Sequence, residues 1–314
     1  MCWRGIGWTG FELEWLGYVT QEDFSPSIEV RYQFFPTPWA DGVSRRVFEL
    51  LIGPDKVYPA TKWGNEGKQS LPKDLAEVID YLTQWYDASH KGNRIPLFAD
   101  QRMSDLSTER YYFNLLRSEW GDHSRFGELL FWAKHLDLIF PARSATSEQV
   151  MHAITEVAVI TAAPLVSIDY RRSTKERTIT LDSRRECTRV VQGTIHGSAS
   201  MGPWRGLHRI PWRLVLGKHI AATIGQDRLR RLPSDQAIEF GNGIWILQTS
   251  VHPADSITDE GRAVERQIID VLGPQFFACT ERNELAKVKP EFPVDLIPQD
   301  SSLYERYGER LKPL

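Results

Sequence analysis

The sequence predicts an α+β protein built as two ferredoxin-like halves, with mostly antiparallel sheets and helices packed on one face. Three observations carry that expectation. Stretches with period-two hydrophobicity alternate with stretches of helical period. The order strand, helix, strand recurs roughly twice along the 314 residues. That length suits two domains or one large one. Helices gathered on one side of an antiparallel sheet let each element bury its apolar face.

Each element has its own reason. Phe11–Thr20 (FELEWLGYVT) alternates apolar and polar residues and predicts a strand; Gln21–Ser27 is a loop. Ile28–Phe35 (IEVRYQFF) is a second strand with Ile28, Val30, Tyr32 and Phe34 on one face. Pro36 and Pro38 stop it, because proline cannot donate to a strand ladder. Ala40–Ile52 sets Val43, Val47, Leu50 and Leu51 at helical spacing, and Gly53-Pro54 ends that helix. Lys56–Trp63 is short and extended. Pro72–Ala88 is a helix with Pro72 in its first turn and Leu75, Val78, Ile79, Leu82 and Tyr86 in one stripe.

Residues 90–108 are mildly polar and poorly patterned, so the boundary is expected there. The N-terminal half takes residues 1–95 and the C-terminal half residues 108–278. The second half opens on an extended run in Glu109–Glu119. Ser118–Arg125 reads as a polar loop, and Phe126–Leu138 fits a strand or a helix. Ser147–Ala162 is a helix capped by Ser147 or Thr146 and closed by Pro164. Leu165–Arg171 is a strand. Residues 173–188 are charged and rich in arginine, and 190–209 form a long irregular stretch. A compact block follows: a strand in Leu207–Gly217, a helix in His219–Leu232, a hairpin in Ala237–Thr249 turning at Gly241-Asn242-Gly243, and a helix in Thr258–Leu272. Residues 279–314, with their prolines among charges, are expected to wrap the surface as an extended tail.

Composition narrows the function. The formal charge of −3 lacks the basic stripe of a nucleic-acid binder, so no nucleic-acid partner is expected. Cys2, Cys187 and Cys279 form no C-x-x-C pair, which excludes a zinc ribbon or redox motif and fits a reducing compartment. The first residues lack a signal peptide's basic-then-apolar run. No stretch approaches the roughly 18 apolar residues of a membrane span. The expected location is the cytoplasm, with no membrane partner. Most of the 11 tryptophans should be core, with a few as interface anchors.

The inventory for chemistry is poor. There is no P-loop, dinucleotide fingerprint, H-E-x-x-H or G-x-S-x-G elbow, and no cofactor is expected. Asp122 and His123, near Glu119 and Glu128, read as a solvated turn. His135 and Asp137 would share a strand face, but a metal needs further ligands. Cys187, His196 and Ser198 could supply a nucleophile and base, yet no Asp or Glu occurs between Cys187 and His208 to hold the base. A hydrolase or transferase using His196, Ser198 and His208 of the 190–209 loop is the enzymatic alternative. Arg171-Arg172, Arg184-Arg185 and Arg228–Arg231 lack the interleaved aromatics that stack bases. Asp259 and Glu260 favour the dipole at the start of the last helix. With Asp255 they also offer a contact for a basic protein, since complementary charge speeds association.

The C-terminal block carries a resemblance. Trp212–Gly225 (WRLVLGKHIAATIG), the Leu-Arg-Arg-Leu-Pro run at 229–233, the hairpin Phe240–Gln248 (FGNGIWILQ), His252-Pro253 and a helix ending in Leu-Gly-Pro (272–274) follow one another. That order is similar to the immunity proteins of type VI secretion and polymorphic-toxin systems, especially those paired with VRR-type nuclease toxins. Ile28–Ala88, with Lys62-Trp63-Gly64 in a turn, matches the opening of such proteins. The Arg-rich stretch at 171–189 and the proline-rich tail depart from the pattern. The resemblance implies a protein that is not an enzyme, binds a cognate toxin in the cytoplasm and occludes it. It brings no catalytic residues. The residues expected at the toxin interface are Asp255, Asp259 and Glu260, with Trp204 and Arg205 in the irregular loop. A third reading is a regulatory or assembly protein, in which two copies pair as a homodimer through sheet edges or Trp-bearing surfaces.

Overall fold

The computed structural model describes residues 26–34, 39–53, 56–57, 63–64, 74–88, 95–103, 107–116, 121–123, 128–130, 134–142, 148–171, 206–278 and 286–293. The strand expected at Phe11–Thr20, the arginine-rich stretch at 173–188, nearly all of 190–209 and most of the tail lie outside the described residues.

Alternation builds the central strand. In β1 (Ser27–Phe34), Ile28, Val30, Tyr32 and Phe34 are fully buried on one face. β1 lies between β7 (Lys134–Pro141) and β8 (Leu165–Arg171), antiparallel to both. Val30 faces Leu138 on one side and Ile168 on the other, so apolar side chains meet across three strands. Helix α1 (Val43–Leu51), α2 (Leu75–Ala88) and α3 (Glu148–Ile160) cover this face through Val47, Leu51, Val78, Leu82, Ile154 and Val157. The Tyr32 hydroxyl donates to the Ile154 carbonyl at 3.0 Å, and burial holds its pKa well above the usual 10. Surface ion pairs also join the helices, Arg45 to Asp80 at 2.6 Å and Arg46 to Glu156 at 3.1 Å. α2 starts later than Pro72 suggested. Asp74 caps it instead, its carboxylate accepting from the Ala76 and Glu77 N–H groups at 2.7 and 3.3 Å.

The α+β class with a mostly antiparallel sheet holds. The two ferredoxin-like halves take a different form, because strands from both share one sheet. The remaining strands are β2 (Trp63–Gly64), β3 (Ile95–Met103), β4 (Ser107–Leu116), β9 (Arg213–Leu216), β10 (Ala237–Gly241) and β11 (Ile244–Gln248). Nine strands run in the order β10-β11-β9-β8-β1-β7-β4-β3-β2. β1 thus pairs only with strands from the expected second half. Part of the stretch at 90–108 is extended. It carries β3, which pairs with β4 from Ile95–Leu115 to Met103–Ser107. β5 (Gly121–His123) lies in the expected polar loop and pairs with β6 (Glu128–Leu130) in a separate two-stranded sheet. Phe126–Leu138, which fitted either period, is extended in β6 and β7.

The helices also occupy both faces at one end of the sheet, not one face as expected. In β9 and β11, Val215, Ile244 and Ile246 join the core under α3. Leu214, Leu216, Trp245 and Leu247 point the other way, into a second core. That core is covered by α4 (Lys218–Ile224) and α6 (Asp259–Leu272), through Ile220, Ile224, Ile268 and Leu272. Strands buried on both faces read as continuous apolar runs, as in RLVL and IWIL. The helix expected at His219–Leu232 breaks at Gly225, after which α5 (Gln226–Leu229) makes one short turn. The hairpin turn is tight: Asn242 and Gly243 have φ of 52° and 77°, the left-handed pair of a type I′ turn. Leu207 forms only a parallel bridge to Phe277, so β9 is shorter than the expected strand. Of the tail expected at 279–314, the structure describes residues 286–293. Val288 N–H donates to Gln275 O at 3.0 Å, and Phe292 stands 6.1 Å from His219 against the second core.

Two-sided burial has a direct test. Ile246→Ala and Leu247→Ala are expected each to lower unfolding free energy by about 2–5 kcal/mol in chemical denaturation. Near-wild-type stability of either variant would mean that its face is not a packed core.

Candidate functional site

The three described residues of the expected interface fall together on one tied corner between β11 and α6. The chain leaves β11 at Thr249, and Trp212 Nε1 donates to Ser250 O at 3.0 Å. Pro253 then starts a 3-10 turn over Pro253–Ile257. The Asp255 carbonyl accepts from the Thr258 N–H at 3.1 Å and its hydroxyl at 2.8 Å. Thr258 caps α6 by accepting the Gly261 N–H at 3.2 Å. Gly261 is pressed against the turn: a Cβ there would stand 2.2 Å from Asp255 O and 2.8 Å from Ser256 Cα. Only glycine allows that approach.

The corner is also bound to the sheet. Glu265, buried on α6, accepts the Ile210 N–H at 3.0 Å. Arg209 pairs with Asp169 on β8. Burial acts to lower the Arg209 pKa, but the charges of Asp169 and Glu265 outweigh it and hold it raised. Outside this anchor, Asp255, Asp259 and Glu260 are exposed. Val251, at 69% exposure, is the most open large apolar side chain among the described residues, and His252 beside it is also exposed. The arrangement presents three carboxylates and one apolar contact on a fixed frame. Trp204 and Arg205 lie outside the described residues, as do Cys187, His196 and Ser198. Of the enzymatic alternative only His208 is described, half-buried next to Arg209.

A second polar group escaped the sequence reading. The face of β1 opposite its apolar stripe carries Glu29, Arg31 and Gln33, with Arg31 and Gln33 each 6% exposed. Arg31 lies 3.8 Å from Glu29. Ser167 and Asp169 of β8 stand opposite Arg31 and Glu29 in register, and Asp137 and His135 of β7 opposite Arg31 and Gln33. The signal was present in Ile28–Phe34, whose alternate residues are all polar. A strand with charges on its second face needs partners there once that face is covered. At the other end of the sheet, Arg213 lies over the Trp212 ring at 4.6 Å, and burial lowers its pKa.

Among the described residues no group of three or more His, Cys, Asp or Glu side chains is placed to hold a metal ion, and no helix is long and apolar enough to cross a membrane. No known family matches the chain, and no curated protein matches it. A solved structure described as the Pseudomonas aeruginosa T6SS protein PA0821 aligns with 96% of this chain and 94% of its own, at 14% identity and a TM-score of 0.47.

The anchor can be separated from the surface it carries. Glu265→Ala leaves the Ile210 N–H without its acceptor and removes a negative charge that acts on Arg209, and is expected to cost about 3 kcal/mol of stability. Glu265→Gln keeps an acceptor and should recover part of it. Thr258→Ala is expected to cost about 1 kcal/mol through the lost cap. Gly261→Ala should cost more than Thr258→Ala, and the reverse order in thermal melts would refute the close packing described above.

Proposed function

We propose that this protein is a cytoplasmic immunity protein that binds and occludes a basic secreted toxin, and that it is not an enzyme. The observation that carries the reading is the exposed carboxylate group at Asp255, Asp259 and Glu260 beside Val251, on a corner held by Thr258, Gly261 and Glu265. A nuclease toxin has a basic cleft for its substrate, and an acidic surface is its natural competitor. The resemblance of residues 212–274 to type VI secretion and polymorphic-toxin immunity proteins supports the same reading, with a VRR-type nuclease as the partner class. A fixed surface also suits tight binding, because little freedom remains to be lost on association.

The test uses the toxin encoded beside this gene. Co-expression should protect cells from it, and the two proteins should co-purify. Replacing Asp255, Asp259 and Glu260 together by lysine is expected to slow association about tenfold or more and to weaken its salt dependence, with the fold retained by circular dichroism. Full protection by that variant would remove the acidic corner from the interface. Absence of any toxin gene beside this one, with no protection on expression, would remove the immunity reading itself.

A further inference from the structure

We propose that two copies of this chain associate through strand β10, with a two-fold axis at Glu239 that joins their nine-stranded sheets. This assembly is independent of the acidic corner. Among the described residues, β10 is an end strand of the sheet. Gln236 O accepts the Gln248 N–H at 2.9 Å. Residues facing the neighbouring strand alternate in an antiparallel ladder, so Ile238 bonds toward β11 and Glu239 turns its N–H and C=O outward. The side chains of Ile238 and Phe240 lie 41% and 37% exposed, on the face toward α3, where Phe240 stands 6.0 Å from the His152 ring.

The pattern Ile-Glu-Phe reads apolar, charged, apolar in both directions. An axis through Glu239 therefore sets Ile238 against Phe240 of the partner subunit, and Phe240 against Ile238 of the partner subunit. They flank the pair that exchanges main-chain bonds, with both side chains on one face. The axis also closes two main-chain bonds between the Glu239 residues. Two carboxylates face each other there, an arrangement that is unfavourable alone. Arg230 stands 3.8 Å from Glu239 in each copy, so the dimer brings two guanidinium groups to two carboxylates.

The pairing is short. The Ala237 N–H is already bonded to Pro233 O at 3.0 Å, and Phe240 is the extra residue of the bulge between Glu239 and Gly241, so the regular ladder ends at Glu239. Short, bulged edges limit association. The dimer is therefore reversible and concentration-dependent.

Sedimentation equilibrium of the full chain tests this over a wide concentration range. The expected result is a monomer–dimer equilibrium that Ile238→Lys and Phe240→Lys each weaken by about tenfold or more, with unchanged melting curves because both sites are exposed. Arg230→Glu should weaken it also. Glu239→Thr removes the facing charges and should tighten it. The proposal fails if both the wild type and Glu239→Thr stay monomeric throughout, or if a dimer forms that neither lysine variant disturbs.

Discussion

The register of β1 against β7 and β8 is the constraint on which the rest of the structure depends. Side chains alternate with period two, so a slip of one residue exchanges the faces. It would turn Ile28, Val30, Tyr32 and Phe34 away from α1–α3 and drive Glu29, Arg31 and Gln33 into that core. Tyr32 adds a directional check, because its hydroxyl reaches the Ile154 carbonyl only in the observed register. The pairings Val30–Leu138 and Val30–Ile168 then position β7 and β8 on either side. From β8 the register passes to β9 and β11 through Leu165–Leu216 and Leu216–Trp245. The whole C-terminal end of the sheet inherits its facing from one strand.

That inheritance explains the unequal faces. At β1 and β8 the second face is polar, with Arg31, Gln33 and Asp169. At β9 and β11 the same face is Leu214, Leu216, Trp245 and Leu247, closed by α4 and α6. The change from charged to apolar occurs within β8, between Asp169 and Leu165. Arg209 stands at this junction. It pairs with Asp169 on the polar side, while Glu265, which also acts on it, belongs to the helix that roofs the apolar side. One cation thus links the sheet's charged middle to the helix that starts at the acidic corner. A half-buried cation of this kind is held by its carboxylates and would be costly without them.

Local pattern made much of this legible. The stripe Val43, Val47, Leu50, Leu51 gave α1, and Leu165–Arg171 gave β8 with the same bounds. Gly241-Asn242-Gly243 gave a hairpin with its turn. What the sequence could not carry was pairing between distant strands. Nothing in Ser27–Phe34 names β7 and β8, more than 100 residues away, as its neighbours, so a repeat of strand-helix-strand suggested two sheets. β3 was missed because IPLFADQRM has no clean alternation after Phe98. Burial of β9 and β11 on both sides was readable in principle, since RLVL and IWIL lack a polar face. Of the expected interface, Asp255, Asp259 and Glu260 are brought onto one corner by Thr258 and Gly261, two residues that look unremarkable in the sequence. The polar face of β1 is spelled out by Glu29, Arg31 and Gln33, but in sequence such a face reads equally well as a solvated one.

The corner's chemistry follows from how its atoms are already used. Its main-chain groups are occupied: the Asp255 carbonyl by Thr258, the Gly261 N–H by the Thr258 hydroxyl, and the Ile210 N–H by Glu265. The outward-facing groups include the three carboxylates, His252 and the aliphatic Val251. Asp255 stands in the 3-10 turn, and Asp259 and Glu260 in the first turn of α6, so the turn and the helix start carry a concentrated negative charge. On the immunity reading proposed above, fixed charge would select a partner by sign and speed encounter, and Val251 would add a desolvated contact. Such a surface needs no movement of its own to work, and the Gly261 contact leaves little room for movement.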